Sequence, residues 1–257
     1  MANTYAANFG DVVKHAVLGE VLVRERPSRY LESHGGRFDY PLAELDPGPG
    51  GVWDFLELGA GRALASCAYA GLLAQVAGSR HDPGTYPGSI ALAAALLPSD
   101  SEVVAFELVD TSAAHLTERL AARGRAAAIH AAEGLKGVRA LARPGDLVLI
   151  DPFHVRERAG EMTAAETFEL LASRDVATIL WYAIYDPAEY GWPDEIIAAP
   201  DRSRWRTRLI GDTTEGGLAG CGFLTAHLSS EAVAAAASIV EELARTLAPV
   251  RPGLRAE

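Results

Sequence analysis

Residues 146–154 read Asp146-Leu147-Val148-Leu149-Ile150-Asp151-Pro152-Phe153-His154, four apolar residues between two aspartates. A short, uninterrupted apolar run closed by a proline is a strand buried on both faces. Helical spacing over 135–142 precedes it and over 163–173 follows it, and 177–183 (Ala-Thr-Ile-Leu-Trp-Tyr-Ala) is a further buried strand. Strands alternating with helices predict a mostly parallel sheet covered on both faces. Upstream, the same alternation gives a strand at 102–107, a helix at 111–122 capped by Asp110 or Thr111, and a short strand at 126–130. Near the start, Val12, Val13, Ala16, Val17, Val21 and Leu22 are helically spaced within 9–24, with Asn8 as N-cap and Pro27 as terminator. A strand candidate at 29–32 runs into Ser33-His34-Gly35-Gly36. Residues 47–51 form a Pro/Gly turn, 52–77 one or two helices, 81–88 a loop and 89–97 a helix. A late strand at 222–229 and a helix at 231–247 follow, and the tail after Pro252 is expected to be disordered.

The bulk composition narrows the class. The 257 residues are 49% hydrophobic and 22% charged, as in a folded α/β protein able to bury a sizeable core. One domain over 1–257 is expected. No run is apolar enough to span a bilayer, and the opening residues lack a basic patch followed by an apolar stretch. Cys67 and Cys221 give neither a disulfide framework nor a metal cluster, so a cytoplasmic protein without metal is expected. The formal net charge of −11 disfavours a broad RNA-gripping face. Arg202, Arg204, Arg206 and Arg208 are the nearest thing to a basic run, and their alternation reads first as a charged edge strand.

Ligands of such sheets sit beyond the carboxyl ends of the strands, where strand order reverses. The residues there are His34-Gly35-Gly36, Glu107, Glu133-Gly134 and Asp151. A glycine turn admits a ligand to the backbone, and an acid ending the second strand accepts the two hydroxyls of a ribose. Glu133 is placed to meet an adenine amine and Asp151 to face the reacting centre. Each acid alone is equally readable as a helix N-cap. Ser89 opens a helix, where free N–H groups favour an anion.

Several blocks together resemble the J-type 23S ribosomal RNA adenine-N6 methyltransferases. They are Asn8-Phe9-Gly10-Asp11-Val12-Val13-Lys14-His15, Tyr30-Leu31-Glu32-Ser33-His34-Gly35-Gly36, Tyr86-Pro87-Gly88-Ser89, Phe106-Glu107-Leu108 and Leu147-Val148-Leu149-Ile150-Asp151-Pro152, with Leu180-Trp181-Tyr182 as a weaker sixth. The resemblance implies a Rossmann-like class I methyltransferase fold, with a seven-stranded sheet and a small helical insert after the first strand, at 41–85. It implies S-adenosyl-L-methionine (SAM) as cofactor, with His15, His34, Ser89, Glu107, Glu133 and Gly134 lining its pocket. Lys14 would contact the methionine carboxylate, and Asp151 would face the acceptor. A competing segment, Phe55-Leu56-Glu57-Leu58-Gly59-Ala60-Gly61, looks like the generic glycine-rich SAM loop and would make 52–58 the first strand. The resemblance places it in the insert instead.

The chain departs from that pattern at the acceptor end. Family members carry Asp-Pro-Pro-Tyr, in which the aromatic ring stacks on a flipped base. This chain has Asp151-Pro152-Phe153-His154, and its glycine turn is abbreviated to Gly35-Gly36-Arg37. With the acidic charge, these departures favour a small-molecule acceptor. Phe153, Pro152, Trp181 and Tyr182 would contact it and His154 would act as a general base. A divergent rRNA methyltransferase, transfer of another SAM-derived group such as aminocarboxypropyl, and a non-catalytic SAM-binding protein are the alternatives. A monomer or weak homodimer is expected.

Overall fold

The structure is a computed structural model, and it describes residues 6–154, 156, 158–160, 162–185, 204–212 and 218–257. Its elements run α1 (Phe9–Glu25), β1 (Arg29–Glu32), β2 (Asp39–Pro41), α2 (Val52–Gly59), α3 (Ala68–Val76), β3 (Thr85–Pro87), α4 (Ser89–Leu96) and β4 (Glu102–Phe106). They continue with α5 (Asp110–Ala121), β5 (Ala127–His130), α6 (Gly134–Leu141), β6 (Leu147–Ile150), β7 (Arg158–Ala159), β8 (Met162–Thr163), α7 (Ala164–Ala172) and β9 (Ala177–Ile184). The last are β10 (Arg204–Ile210), β11 (Gly220–Ala226), α8 (Ser230–Leu247) and β12 (Arg255–Ala256).

Eight strands form the main sheet in the order β12-β10-β11-β9-β6-β1-β4-β5. The five from β9 to β5 are parallel, whereas β11, β10 and β12 pair antiparallel. This is the expected Rossmann-like α/β architecture. The eighth strand is the two-residue β12, which pairs Leu209 with Ala256 and Ile210 with Arg255. The tail after Pro252 is therefore a sheet edge, not a disordered end. It also shields part of β10, whose arginines are largely neutralised: Arg204 pairs with Glu169 and Arg208 with Glu257. Arg202 lies outside the described residues.

The segment Phe55–Gly61 that resembles a SAM loop belongs to α2 and the turn after it, while β1 sits mid-sheet between β4 and β6. The reason is chemical as much as topological. Residues Tyr30 and Leu31 are buried against opposite faces of the sheet, as period-two alternation demands. Two ion pairs from Arg29, to Glu102 at 3.1 Å and to Asp146 at 2.9 Å, tie the start of β1 to both neighbours. Expected loop 81–88 contains β3, paired with β2 in a separate two-stranded sheet. The cap expected from Asp110 or Thr111 is instead Val109, whose amide is held by the Glu107 carboxylate at 2.8 Å.

Helix α1 positions the site. Asn8 caps it by accepting from the Asp11 amide. Between Phe9 and Leu22 only Asp11 escapes burial. Its apolar side chains share one core with residues of α3, α4 and α8, and each fully buried Val or Leu is worth about 1.5–3 kcal/mol. No helix among the described residues is long and apolar enough to cross a membrane.

Candidate active site

From β1 the sheet grows one way through β4 and β5 and the other way through β6 and β9, so the strand order reverses between β1 and β6. There the chain leaves both strands at the same end. Ser33 joins the two exits, its amide donating to Leu149 O at 3.0 Å and its hydroxyl accepting from the Asp151 amide at 3.3 Å. A cavity of about 260 Å³ opens at this point. Its walls come from α1 (Asp11, Lys14, His15), the turn after β1 (His34, Gly35, Gly36), the start of α4 (Gly88, Ser89), and the ends of β4 (Glu107), β6 (Asp151, Pro152, Phe153) and β9 (Trp181, Tyr185).

The Lys14 ammonium is the cation among these side chains. It lies 2.7 Å from Asp151, 2.9 Å from Asp11 and 5.2 Å from the centroid of the Trp181 ring. Burial works against its charge, but Asp11 and Asp151 outweigh that and raise its pKa. An unpaired ammonium at this depth would be costly, so the pairing is a condition of the fold as well as a feature of the site. The neighbouring His15 stacks on Tyr86, its Nδ1 2.8 Å from the Tyr86 hydroxyl. Burial first, then Lys14, push its pKa well down, so it is neutral.

Beneath the cavity lies Glu32, fully buried. It accepts from Ser89 at 2.5 Å and from Tyr30 at 2.8 Å. Burial and then the nearby Asp151 carboxylate push its pKa up to about 8, against the opposing pull of the two hydrogen bonds and Lys14. The Ser89 hydroxyl thus serves Glu32, and the start of α4, where Gly88 and Ser89 line the cavity, has no side-chain cap.

At the opposite wall, Glu107 is held by two backbone amides, Gly36 N to one oxygen and Val109 N to the other, each at 2.8 Å. Gly36 has φ +59°, and a Cβ there would come within 2.7 Å of the Tyr40 hydroxyl. The abbreviated glycine turn therefore still needs glycine at this position. The carboxylates of Asp11, Glu107 and Asp151 outnumber the single ammonium of Lys14, and His15 is neutral. Such a cavity suits a ligand that carries positive charge together with hydrogen-bond donors.

Of the residues expected from sequence, Lys14, His15, His34, Ser89, Glu107, Asp151, Pro152, Phe153 and Trp181 line this one cavity. Four do not. Glu133 is the N-cap of α6, both carboxylate oxygens accepting from Leu135 N and Lys136 N. Gly134 is packed so that a Cβ would overlap Ser33 O at 1.6 Å, which explains the glycine without a ligand. Tyr182 is buried in the cluster on the other face of the sheet from Trp181. His154 accepts from the Arg156 amide at 3.1 Å and is not part of the lining. Asp11, Glu32, Ser33, Tyr86 and Tyr185 had no role assigned from sequence. Glu32 left a sequence signal, a charged residue two places from Tyr30 in a short buried strand.

Phe153 and Tyr185 stand at the mouth, 78% and 47% exposed. Aromatic rings left in water beside a polar cavity mark a binding rim.

An alternating sheet with its cavity at the switch point, lined by the carboxylates that follow β4 and β6, fits the class to which the family match assigns the chain, the SAM-dependent methyltransferases. More narrowly, the chain belongs to the family described as ribosomal RNA large subunit methyltransferase D, RlmJ, whose model matches residues 67–223. Among solved structures, protein LPL1258 from Legionella pneumophila is similar over 98% of both chains, at 22% identity and a TM-score of 0.78. An O-methyltransferase from Bacillus cereus in complex with SAH shares 14% identity over 88% of this chain and 85% of its own (TM-score 0.47). An rRNA methylase from Streptococcus thermophilus shares 13% over 83% and 93% (TM-score 0.44). Comparison with curated proteins gave no match.

Proposed function

We propose that the chain transfers the methyl group of SAM to a base of large-subunit ribosomal RNA, with SAM held in the cavity between α1 and the ends of β1, β4 and β6. The observation that carries this reading is the Asp151 carboxylate, which opens on the same cavity as the amide-anchored Glu107. SAM supplies an electrophilic methyl carbon next to a positively charged sulfur. Glu107, fixed by two amides, keeps lone pairs free to accept ribose hydroxyls. Lys14 and the start of α4 receive a carboxylate. Asp151 accepts from the acceptor's amine and aligns it, and Phe153 and Tyr185 flank its ring. Alignment of nucleophile and methyl carbon is the main source of rate in such a site. A ribosomal acceptor places the activity in the cytoplasm.

A second reading, a small-molecule acceptor, is favoured by Phe153-His154 where the family pattern has Pro-Tyr and by the net charge of −11. The two are separated by incubating the protein with methyl-labelled SAM, unmodified large-subunit rRNA and, separately, a metabolite extract. Label in a single RNA nucleoside, with S-adenosylhomocysteine as by-product, supports the first. Label only in a small molecule replaces it with the second, and methylthioadenosine as by-product rejects methyl transfer altogether.

A further inference from the structure

Several arginines in this chain meet carboxylates: Arg24, Arg29, Arg80, Arg204 and Arg245 each sit in an ion pair. Arg123 does not. Its guanidinium lies 4.3 Å from the centroid of the Phe38 ring and donates to the Arg119 carbonyl at 3.0 Å, and among the described residues no carboxylate is within 4 Å. Arg119, one helical turn earlier on α5, reaches over the same ring at 5.8 Å. Asp39 pairs with it, but its Nε is buried and unpartnered among the described residues. The Arg37 guanidinium likewise has no carboxylate partner among the described residues. Burial first and then Arg37 and Arg119 lower the pKa of the intervening His115, against the opposing Asp39 and Glu118, and His115 accepts from the Phe38 amide. Of the nearby acids, Asp39 is engaged by Arg119 and Glu118 stands on the same helix.

The group has a fixed place relative to the cavity. Arg37 follows Gly36, which lines it, and Phe38 precedes the β2 strand that carries Tyr40, also in the lining. We propose that Arg37, Arg119 and Arg123, gathered around Phe38 beside the cavity, form the docking surface for the phosphate backbone of the acceptor RNA. This rests on the RNA reading above. A chain of net charge −11 repels RNA at long range, so the contacts that hold a phosphate backbone must come from a local concentration of guanidiniums; here three stand beside the single carboxylate of Asp39, which engages Arg119 and leaves Arg37 and Arg123 uncompensated among the described residues. Arginine suits that role because its fork of donors stays charged and matches phosphate geometry.

The test uses the full chain with an unmodified large-subunit rRNA transcript as probe. Binding is followed against potassium chloride concentration and methyl transfer against RNA concentration. Wild type is compared with Arg37→Gln, Arg123→Gln, the double variant and Arg245→Gln as a distant control. The double variant is expected to bind SAM as wild type does and to raise the KM for RNA about tenfold or more. The slope of log affinity against log salt should shallow by about 0.7–0.9 for each lost contact. If the double variant methylates the transcript with unchanged KM and salt slope, the docking surface is overturned while the RNA reading stands. If wild type neither binds nor methylates the transcript, the RNA reading falls and the surface falls with it.

Discussion

Lys14 Nζ lies 2.7 Å from Asp151 Oδ2, a contact that joins α1 to the end of β6 across 137 residues of sequence. It couples the fold's first helix to its candidate reacting centre. Removing the ammonium by Lys14→Met leaves Asp11 and Asp151 facing one another without a cation. The expected loss is about 3–5 kcal/mol of stability, together with methyl transfer. Asp151→Asn keeps Lys14 paired with Asp11 and should cost far less stability while abolishing transfer. Chemical denaturation alongside a turnover assay checks both. Equal destabilisation by the two variants would contradict the arrangement.

Glu32 makes a pH prediction whose sign is fixed by its environment. Its pKa of about 8 in the folded chain lies above the ordinary carboxyl value, so the folded state holds a proton that the unfolded state has released. Its contribution to stability is complete below the unfolded pKa and is lost as pH rises toward 8. His15 works in the opposite sense, being held neutral, so the comparison must isolate Glu32. The difference in unfolding free energy between wild type and Glu32→Gln should fall with pH between about 5 and 8 and flatten above. A difference that is flat throughout that range would contradict it.

Glu133 separates capping from ligand contact. If its carboxylate is occupied by Leu135 N and Lys136 N, Glu133→Ala costs about 0.5–2 kcal/mol and leaves SAM affinity within about twofold. A large loss of SAM affinity at unchanged stability would restore the adenine contact read from sequence. Gly134→Ala should prevent folding, or lower the melting temperature sharply, because no side-chain adjustment relieves a Cβ overlapping a backbone oxygen. Thermal melts of both variants, with titration of SAM into Glu133→Ala, check these outcomes.

Phe153 is mostly solvent-exposed, so Phe153→Ala should change stability by less than about 0.5 kcal/mol. Its effect should appear as a higher KM for the acceptor, with SAM binding unchanged. An unaltered acceptor KM would remove the ring from the acceptor site.

The sequence carried the centre of this molecule better than its edges. Strands β4, β6 and β9 are continuous apolar runs because both their faces are covered, and such runs stand out in any window. Strand β1 is four residues with a charge at each end, Arg29 and Glu32, and the choice between it and the glycine-bearing α2 came from resemblance, not periodicity. Strands β10 and β12 lie at the sheet margin, where pairing, not hydrophobicity, makes the strand. At the site, Glu107 and Asp151 were legible from their position at strand ends and Lys14 and His15 only from the resemblance, whereas Asp11 and Tyr185, which also line the cavity, were given no role. Glu133, read from sequence as an adenine contact, stands in the structure as the N-cap of α6, and an acid before a helix looks the same in sequence in either role. Trp181 and Tyr182 were both given to the acceptor, although adjacent strand residues face opposite ways and only one of them could line it. Glu32 acts from behind the lining and Tyr86 within it, through hydrogen bonds that no spacing rule encodes.

The most direct test is calorimetric titration of SAM into wild type, Glu107→Ala and Asp151→Ala. Wild type should bind, Glu107→Ala should bind at least about tenfold more weakly, and Asp151→Ala should bind nearly as wild type. A wild-type chain that takes up no SAM, or a Glu107→Ala variant that binds it undiminished, would contradict the placement of SAM in this cavity.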